Sequence, residues 1–314
     1  MRSFLIFLLS ISYLTVLAQP FTDIGDYHTS RLLATRSGEE LIAIRSFTAG
    51  TEKYLLLVDP QTLKTRTDLA SRYTLSAGKL PDKTPYAEAL GAAALSDVRL
   101  QNAGIDRAVP GENGIDLTID LCPSHKTLDR VIFTALFKEF GKVERPAPVA
   151  ISVSGKWLLR HPADLEWLQG LVRKKQLAIT WINHSYNHEV TSLPLRENFL
   201  LSPGTDLDIE VLDNEKLMLS NGLTPSVFFR FPGLVSDQTL LEKIELYGLI
   251  PVGSDAWLAK GQPAHTGSIV LIHGNGNEEL GVRDFLRLLK SNQTEVLHHQ
   301  WSLFDLSDSL EKEY

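Results

Sequence analysis

Leu177-Ala178-Ile179-Thr180-Trp181-Ile182-Asn183-His184-Ser185-Tyr186-Asn187-His188 is an apolar run that ends in a polar segment carrying two imidazoles four residues apart. The run has the length and the β-branched and aromatic content of a buried strand, and Trp181 reads as core. Two histidines at i and i+4 share a face if the chain turns helical after the strand, and can then grip one metal ion. Such a pair alone is more often a surface feature than a ligand set. Its place at the carboxyl end of a strand, where α/β folds keep their chemistry, gives it weight.

On both sides of this stretch, from residue 114 onward, short apolar strands alternate with helical stretches, the pattern of an α/β sheet or barrel. Strands are expected at 115–120, 149–153, 177–183, 227–230, 249–252 and 268–272, with a last one near 295–301. Helices are expected at 128–140, 162–174, 206–220 (stopped by Asn221-Gly222), 236–247 and 282–290. Upstream, residues 19–110 read as a separate β-rich portion. It has strands at 41–47 and 54–58 joined by a hairpin loop at 48–52, a third strand near 63–67 after the turn Asp59-Pro60-Gln61-Thr62, and a helix at 86–101. The expected division is therefore 1–18, 19–110 and 111–314.

Residues 1–18 have the build of a secretory signal peptide: Arg2, an apolar run from Phe4, and small Ala18 before Gln19. The run is short for a membrane span. The expectation is cleavage after Ala18 and an exported protein, periplasmic or secreted, without a stable membrane anchor. The single cysteine, Cys122, rules out a disulfide within the chain. With 43% hydrophobic residues the chain can bury a core, and a net charge of −7 argues against nucleic acid as a partner. No Gly-x-Ser-x-Gly elbow is present, which disfavours a serine hydrolase. Cys122 as a nucleophile with His273 is conceivable, but an oxidising compartment makes a free catalytic thiol a liability. His298-His299 reads as exposed, and Gly274-Asn275-Gly276-Asn277 as a loop.

Polar clusters sit at the carboxyl ends of five expected strands: Asp120-Leu121-Cys122-Pro123-Ser124, Asn183 to His188, Arg230-Phe231-Pro232-Gly233, Ser254-Asp255-Ala256-Trp257, and Leu271-Ile272-His273-Gly274. In a barrel these ends meet at one mouth. In this order the clusters resemble the motifs of the polysaccharide deacetylases, carbohydrate esterases that include chitin-oligosaccharide and peptidoglycan deacetylases. The likeness covers about residues 114–305. It implies a distorted (β/α) barrel of seven strands and metal-assisted hydrolysis of an N-acetyl group on a carbohydrate. By the same resemblance His184 and His188 bind a divalent ion such as zinc, Asp120 is the general base, and Arg230 holds that aspartate. His273 is then the general acid, Asp255 the carboxylate that orients it, and Trp257, Leu271 and Pro232 line the acetyl pocket.

The chain departs from the family at the first motif. A second, metal-binding aspartate is expected after Asp120, but Leu121 stands there, and Cys122 replaces a glycine. Leucine cannot ligate a metal. Three outcomes stay open: Asp120 ligates the ion itself, Cys122 supplies a soft third ligand, or the metal is lost and a non-catalytic carbohydrate-binding barrel remains.

Overall fold

The computed structural model describes residues 19–78, 80–95, 100–108, 112–143 and 145–311. The apolar leader read at 1–18 lies outside them. Among the described residues no helix is long and apolar enough to cross a membrane.

The amino-terminal portion is an antiparallel sheet of β1 (Ile24–Arg36), β2 (Glu39–Ala49), β3 (Glu52–Val58), β4 (Thr65–Leu69) and β5 (Thr74–Ser76), in the order β4-β3-β2-β1-β5. The expected hairpin is present but tighter. Ala49 pairs with Glu52, so Gly50 (φ 61°) and Thr51 make the whole loop. The long β1 has no counterpart in the sequence reading. Its polar residues (Asp26, His28, Thr29, Arg31) do not alternate with apolar ones, and two register shifts break its pairing with β2. The helix expected at 86–101 is found as Pro85–Leu95; residues 96–99 lie outside the described set, and Gln101 is in a bridge, not a helix.

The second sheet is parallel. It contains β6 (Gly114–Leu121), β7 (Ala147–Val153), β8 (Leu177–Asn183), β9 (Phe228–Phe229), β10 (Ile250–Pro251), β11 (Ala256–Trp257) and β12 (Ile269–His273), in the order β10-β9-β8-β7-β6-β12-β11, with β13 (Ser302–Leu303) also beside β6. It curls into a half-barrel with helices outside, as expected. Residues 101–108 span the side between β10 and β12: Asn102 N–H donates to Leu234 O, Ile105 N–H to Pro251 O, and Ala108 N–H to Gly267 O. The boundary expected at 110 thus falls after a segment already bonded into the barrel.

One expected strand is wrong. Residues 293–297 form a helix, Gln293–Leu297, and the strand begins only at Ser302. The reason is one-sided burial: Val296 is in the core while Leu297, His298 and His299 are exposed, which suits a helix face and not an alternating strand. A short helix, Gly155–Arg160, was not read at all; the Ser154 hydroxyl caps it by accepting from Trp157 N–H.

Side-chain alternation along the parallel strands sorts the core into two layers. Ile115, Leu117, Ile119 and Leu121 of β6, Val149, Ile151 and Val153 of β7, and Trp181 of β8 face outward, against Ile132, Phe133, Leu136, Trp157 and Phe285 of the helices. Ala150, Ile182, Phe228, Ile250 and Ile269 face the barrel axis and join Ile42, Ile44, Leu56 and Val58 of the first sheet. On β6 the axial positions are therefore Asp116, Thr118 and Asp120, with Cys122 continuing the column. Leu121 is fully buried in the outer, apolar layer. Leu121→Asp would bury a carboxylate among leucines and phenylalanines. It should destabilise the fold by roughly 3 kcal/mol or more, read from the urea midpoint, and should not restore a ligand.

Candidate active site and metal centre

The carboxyl ends of β6, β8, β9 and β12 bring Asp120, Cys122, His184, Arg230 and His273 to one end of the barrel axis. His188 joins them without the helical turn expected from the sequence. Residues 184–191 form no helix; instead Ser185 (φ 63°) and His188 (φ 46°) take left-handed backbone conformations that fold the loop back. The two imidazole rings meet at 4.7 Å between centroids.

This loop is held from both sides. The amino terminus of helix Gly155–Arg160 donates Gly155 N–H to Ser185 O (3.1 Å) and Lys156 N–H to Tyr186 O (3.0 Å). A β-carbon at Gly155 would sit 2.6 Å from the Tyr186 ring, so only glycine permits this approach. Opposite, Glu210 accepts from Asn187 N–H and Nδ2–H (2.9 and 2.7 Å). Asn214 Nδ2 donates to Asn183 Oδ1 (2.7 Å) and Val153 O (3.1 Å). The helix expected at 206–220 is thus present, but it contains a π-turn at Ile209–Asp213 before Asn214–Ser220.

Cys122, His184 and His188 are all buried, and their donor atoms lie within 4.8 Å of one another. Cys122 Sγ is 3.4 Å from His184 Nε2. His184 Nδ1 is 2.8 Å from Arg230 O, a group that only accepts, so Nδ1 carries a proton and Nε2 is the nitrogen turned toward Cys122. Both ring nitrogens of His188 and Oδ1 of Asp120 are buried without a hydrogen-bond partner. Asp120 Oδ2 is 3.7 Å from His184 Nε2. The Cys122 carbonyl is pinned by Asn275 Nδ2 at 2.9 Å, so the loop at 274–277 is a bonded support of the site.

The electrostatics follow from these neighbours. Burial raises the Cys122 thiol, but His188, His273 and His184 together pull it well below the ordinary thiol range. Burial lowers His188, and the Cys122 sulfur and Asp120 outweigh it, leaving His188 raised.

Arg230 stands beside Asp120 as expected but holds it by charge alone, and Asp255 does not stand where the resemblance put it. Arg230 is fully buried and donates from Nη2 to Thr118 Oγ1 (2.9 Å). Its Nε and Nη1 are unpartnered, and it acts on Asp120 through charge, not through a hydrogen-bonded clamp on Oδ1. Asp255 does not orient His273. β11 pairs Ala256 with Val270 and Trp257 with Leu271, which sets Asp255 level with Ile269, four residues before His273. There it accepts from Ser268 Oγ (3.2 Å) and lies 3.9 Å from Arg107.

The carboxylate on His273 is Glu278, with Oε2 2.7 Å from Nδ1. The same oxygen accepts from Trp257 Nε1 at 3.0 Å. Burial works against a charged His273, but Cys122, Glu278 and Asp120 raise it well above the ordinary range. Sequence reasoning missed Glu278; its one signal was a carboxylate shortly after the Leu-x-His motif, across a glycine-asparagine turn. Trp257 is half-buried beside His273 with ring centroids 5.6 Å apart, and Lys260 Nζ sits 3.6 Å over its face. Leu271 is buried on the axial side of β12, and Pro232 is buried in the turn after β9.

A protein-family model described as the RP012 protein N-terminal domain matches residues 25–90. Among solved structures, the chain is similar to PdaA of Bacillus subtilis, a family 4 carbohydrate esterase. The two are 15% identical over 76% of this chain and 92% of that one, with a TM-score of 0.50. A family 4 carbohydrate esterase from Bacillus anthracis is 16% identical over 75% of this chain and 93% of that one (TM-score 0.49). A family 4 pseudoenzyme, also from Bacillus anthracis, is 15% identical over 82% and 84% (TM-score 0.44). The barrel has the polysaccharide-deacetylase-like fold of PdaA.

Because Glu278, after Cys122, helps to hold the proton on His273, Glu278→Gln should lower the His273 pKa. The imidazole resonances of the variant, followed by NMR against pH, should titrate at lower pH than in the wild type. Asp255→Asn should leave that titration in place.

Proposed function

We propose that this chain is an exported, metal-assisted hydrolase that removes acetyl groups from an N-acetylated carbohydrate or cell-wall polysaccharide, with Cys122 as the third metal ligand. The observation that carries this reading is the buried Cys122–His184–His188 cluster. The residues fit a divalent ion. Tetrahedral zinc, with bonds of about 2.0–2.3 Å to nitrogen and sulfur, sets its ligands roughly 3.5 Å apart, and Sγ and Nε2 of His184 already stand at 3.4 Å. His188 keeps two buried, unpartnered nitrogens. His184 donates its other N–H to a backbone carbonyl, the usual outer support of a metal-bound imidazole. Thiolate and imidazole together favour zinc over harder ions.

A divalent ion held by these three residues supplies Lewis-acid polarisation of an acyl carbonyl. The chain's own residues supply the proton transfers. Asp120 presents a buried, unpartnered carboxylate oxygen, which on this reading takes a proton from an attacking water. His273, kept protonated beside Glu278, gives a proton to the departing amine as the carbon–nitrogen bond breaks and acetate forms. Arg230 offsets the charge of Asp120 from within the barrel. Trp257, with one edge fixed on Glu278, forms a wall beside His273. The net charge of −7 supports a partner other than nucleic acid. Arg2 and the apolar run ending at Ala18 support export.

Cobalt-loaded protein should show the near-ultraviolet charge-transfer band of a thiolate bound to the ion, and Cys122→Ser should abolish it. His184→Ala and His188→Ala should each lower zinc content well below one per chain. Asp120→Asn should keep the metal and lose about 10²-fold or more in acetate release from N-acetylglucosamine oligomers. A purified protein that holds no metal yet binds these oligomers would replace the hydrolase with the non-catalytic carbohydrate-binding barrel.

A further inference from the structure

We propose that Arg45, in the amino-terminal sheet, is a positioning residue for the histidine loop, acting through the helix that holds the carboxyl end of β8. The inference about metal affinity rests on the reading above; the inference about the loop does not. β2 and β3 pair Ala43 with Leu57 but Arg45 with Leu56, so Ile44 is an extra residue and β2 carries a β-bulge there. Cross-strand partners share a face of the sheet. Leu57 belongs to the cluster on the far face, with Ala43, while Leu56 belongs to the cluster shared with the barrel. In a regular strand Arg45 would follow Ala43 to the far face. The bulge turns it toward the barrel.

There the guanidinium is fully buried, and each of its three nitrogens donates a hydrogen bond. Nε donates to Glu215 Oε2 (2.6 Å) and Nη2 to Glu215 Oε1 (2.9 Å). Nη1 donates to Ile44 O (2.8 Å) and Tyr247 O (2.5 Å). Tyr27 of β1 donates its hydroxyl to the same Glu215 Oε2 at 2.8 Å. Glu215 is also fully buried, and a buried bidentate pair of this kind is rigid and costly to break from one side.

Glu215 directly follows Asn214. Asn214 binds Asn183 Oδ1 and Val153 O, and Val153 O also accepts His184 N–H at 3.2 Å. Asn183 Nδ2 returns a bond to Val211 O (2.9 Å) inside the π-turn. One short helix is therefore fixed to the first sheet at Glu215 and fixes the histidine-bearing strand end at the adjacent residue. A general contact between the two sheets would not single out this loop. Tyr86 is the comparison: it also ties the amino-terminal portion to the barrel, through its buried hydroxyl on Gly248 O (2.6 Å), and none of its bonds reaches the end of β8.

The test is amide hydrogen exchange on the full, metal-free chain, comparing wild type with Arg45→Met, Tyr27→Phe and Tyr86→Phe. Exchange at residues 183–188 should rise about tenfold in Arg45→Met and about threefold in Tyr27→Phe relative to the rest of the barrel, and should not rise selectively in Tyr86→Phe. A uniform rise across the barrel in Arg45→Met overturns the proposal. If Arg45→Met does not fold, Tyr27→Phe decides, and the absence of a selective rise there overturns it equally. Chelator competition with zinc separates the two readings. Wild type that binds no zinc refutes the metal site, leaving the exchange result to judge the brace. Wild type that binds zinc, with affinity in the folded variants within about twofold of it, refutes the effect on the metal.

Discussion

The two-residue repeat of β6 is the constraint on which the site depends. A strand buried on both faces sends successive side chains to opposite layers. In β6 the odd positions from Ile115 to Leu121 meet the helices, and Asp116, Thr118 and Asp120 meet the axis. Leu121 is therefore the last member of an apolar row, and Cys122 is the next residue after Asp120 able to reach the axis. The missing carboxylate and the buried thiol are two consequences of one geometry. Among the outcomes open from the sequence, the proposed thiolate ligand is the one that this geometry supports.

Placing a carboxylate, a thiol, three imidazoles and a guanidinium in one buried pocket carries a desolvation cost that only mutual compensation offsets. The sulfur is stabilised by three histidines, and His188 and His273 are raised in return. Arg230 lies fully buried with two of its nitrogens unpartnered, balanced against Asp120 and Cys122 by charge. Groups left without partners in such a place are poised for something that is not a side chain. Two of those groups, His188 and Asp120, lie beside Cys122 and His184.

The strands that carry the site were legible in the sequence because each is a short apolar run with a polar break at its carboxyl end. β8 was bounded to the residue, and Asp120, His184, Arg230 and His273 all come to one mouth. What was not legible depended on register and on loop geometry. The role given to Asp255 failed because the pairing of β11 with β12 places it beside Ile269, a fact no local pattern carries. Glu278 fills that role from a loop that returns across a glycine turn. The histidines meet through two left-handed residues and not through a helix, and nothing in Ser185 or His188 announces a positive φ. β1 escaped because a polar strand with two register shifts has no period to read.

The helix from 207 to 220 shows how a local irregularity can serve two surfaces at once. A π-turn widens the helix by one residue. Val211 O, inside that turn, accepts from both Asn214 N–H and Asn183 Nδ2–H, and Glu210 reaches Asn187. The added residue also rotates the face that follows. Asn214 then points at the strand ends and Glu215 at the first sheet, although they are neighbours in sequence. A carbonyl oxygen has two lone pairs, so Val211 O serves the helix and Asn183 at once, which satisfies a buried amide without a further group. One segment thus satisfies buried polar groups on both sides, and it lies against the residues that present the paired histidines.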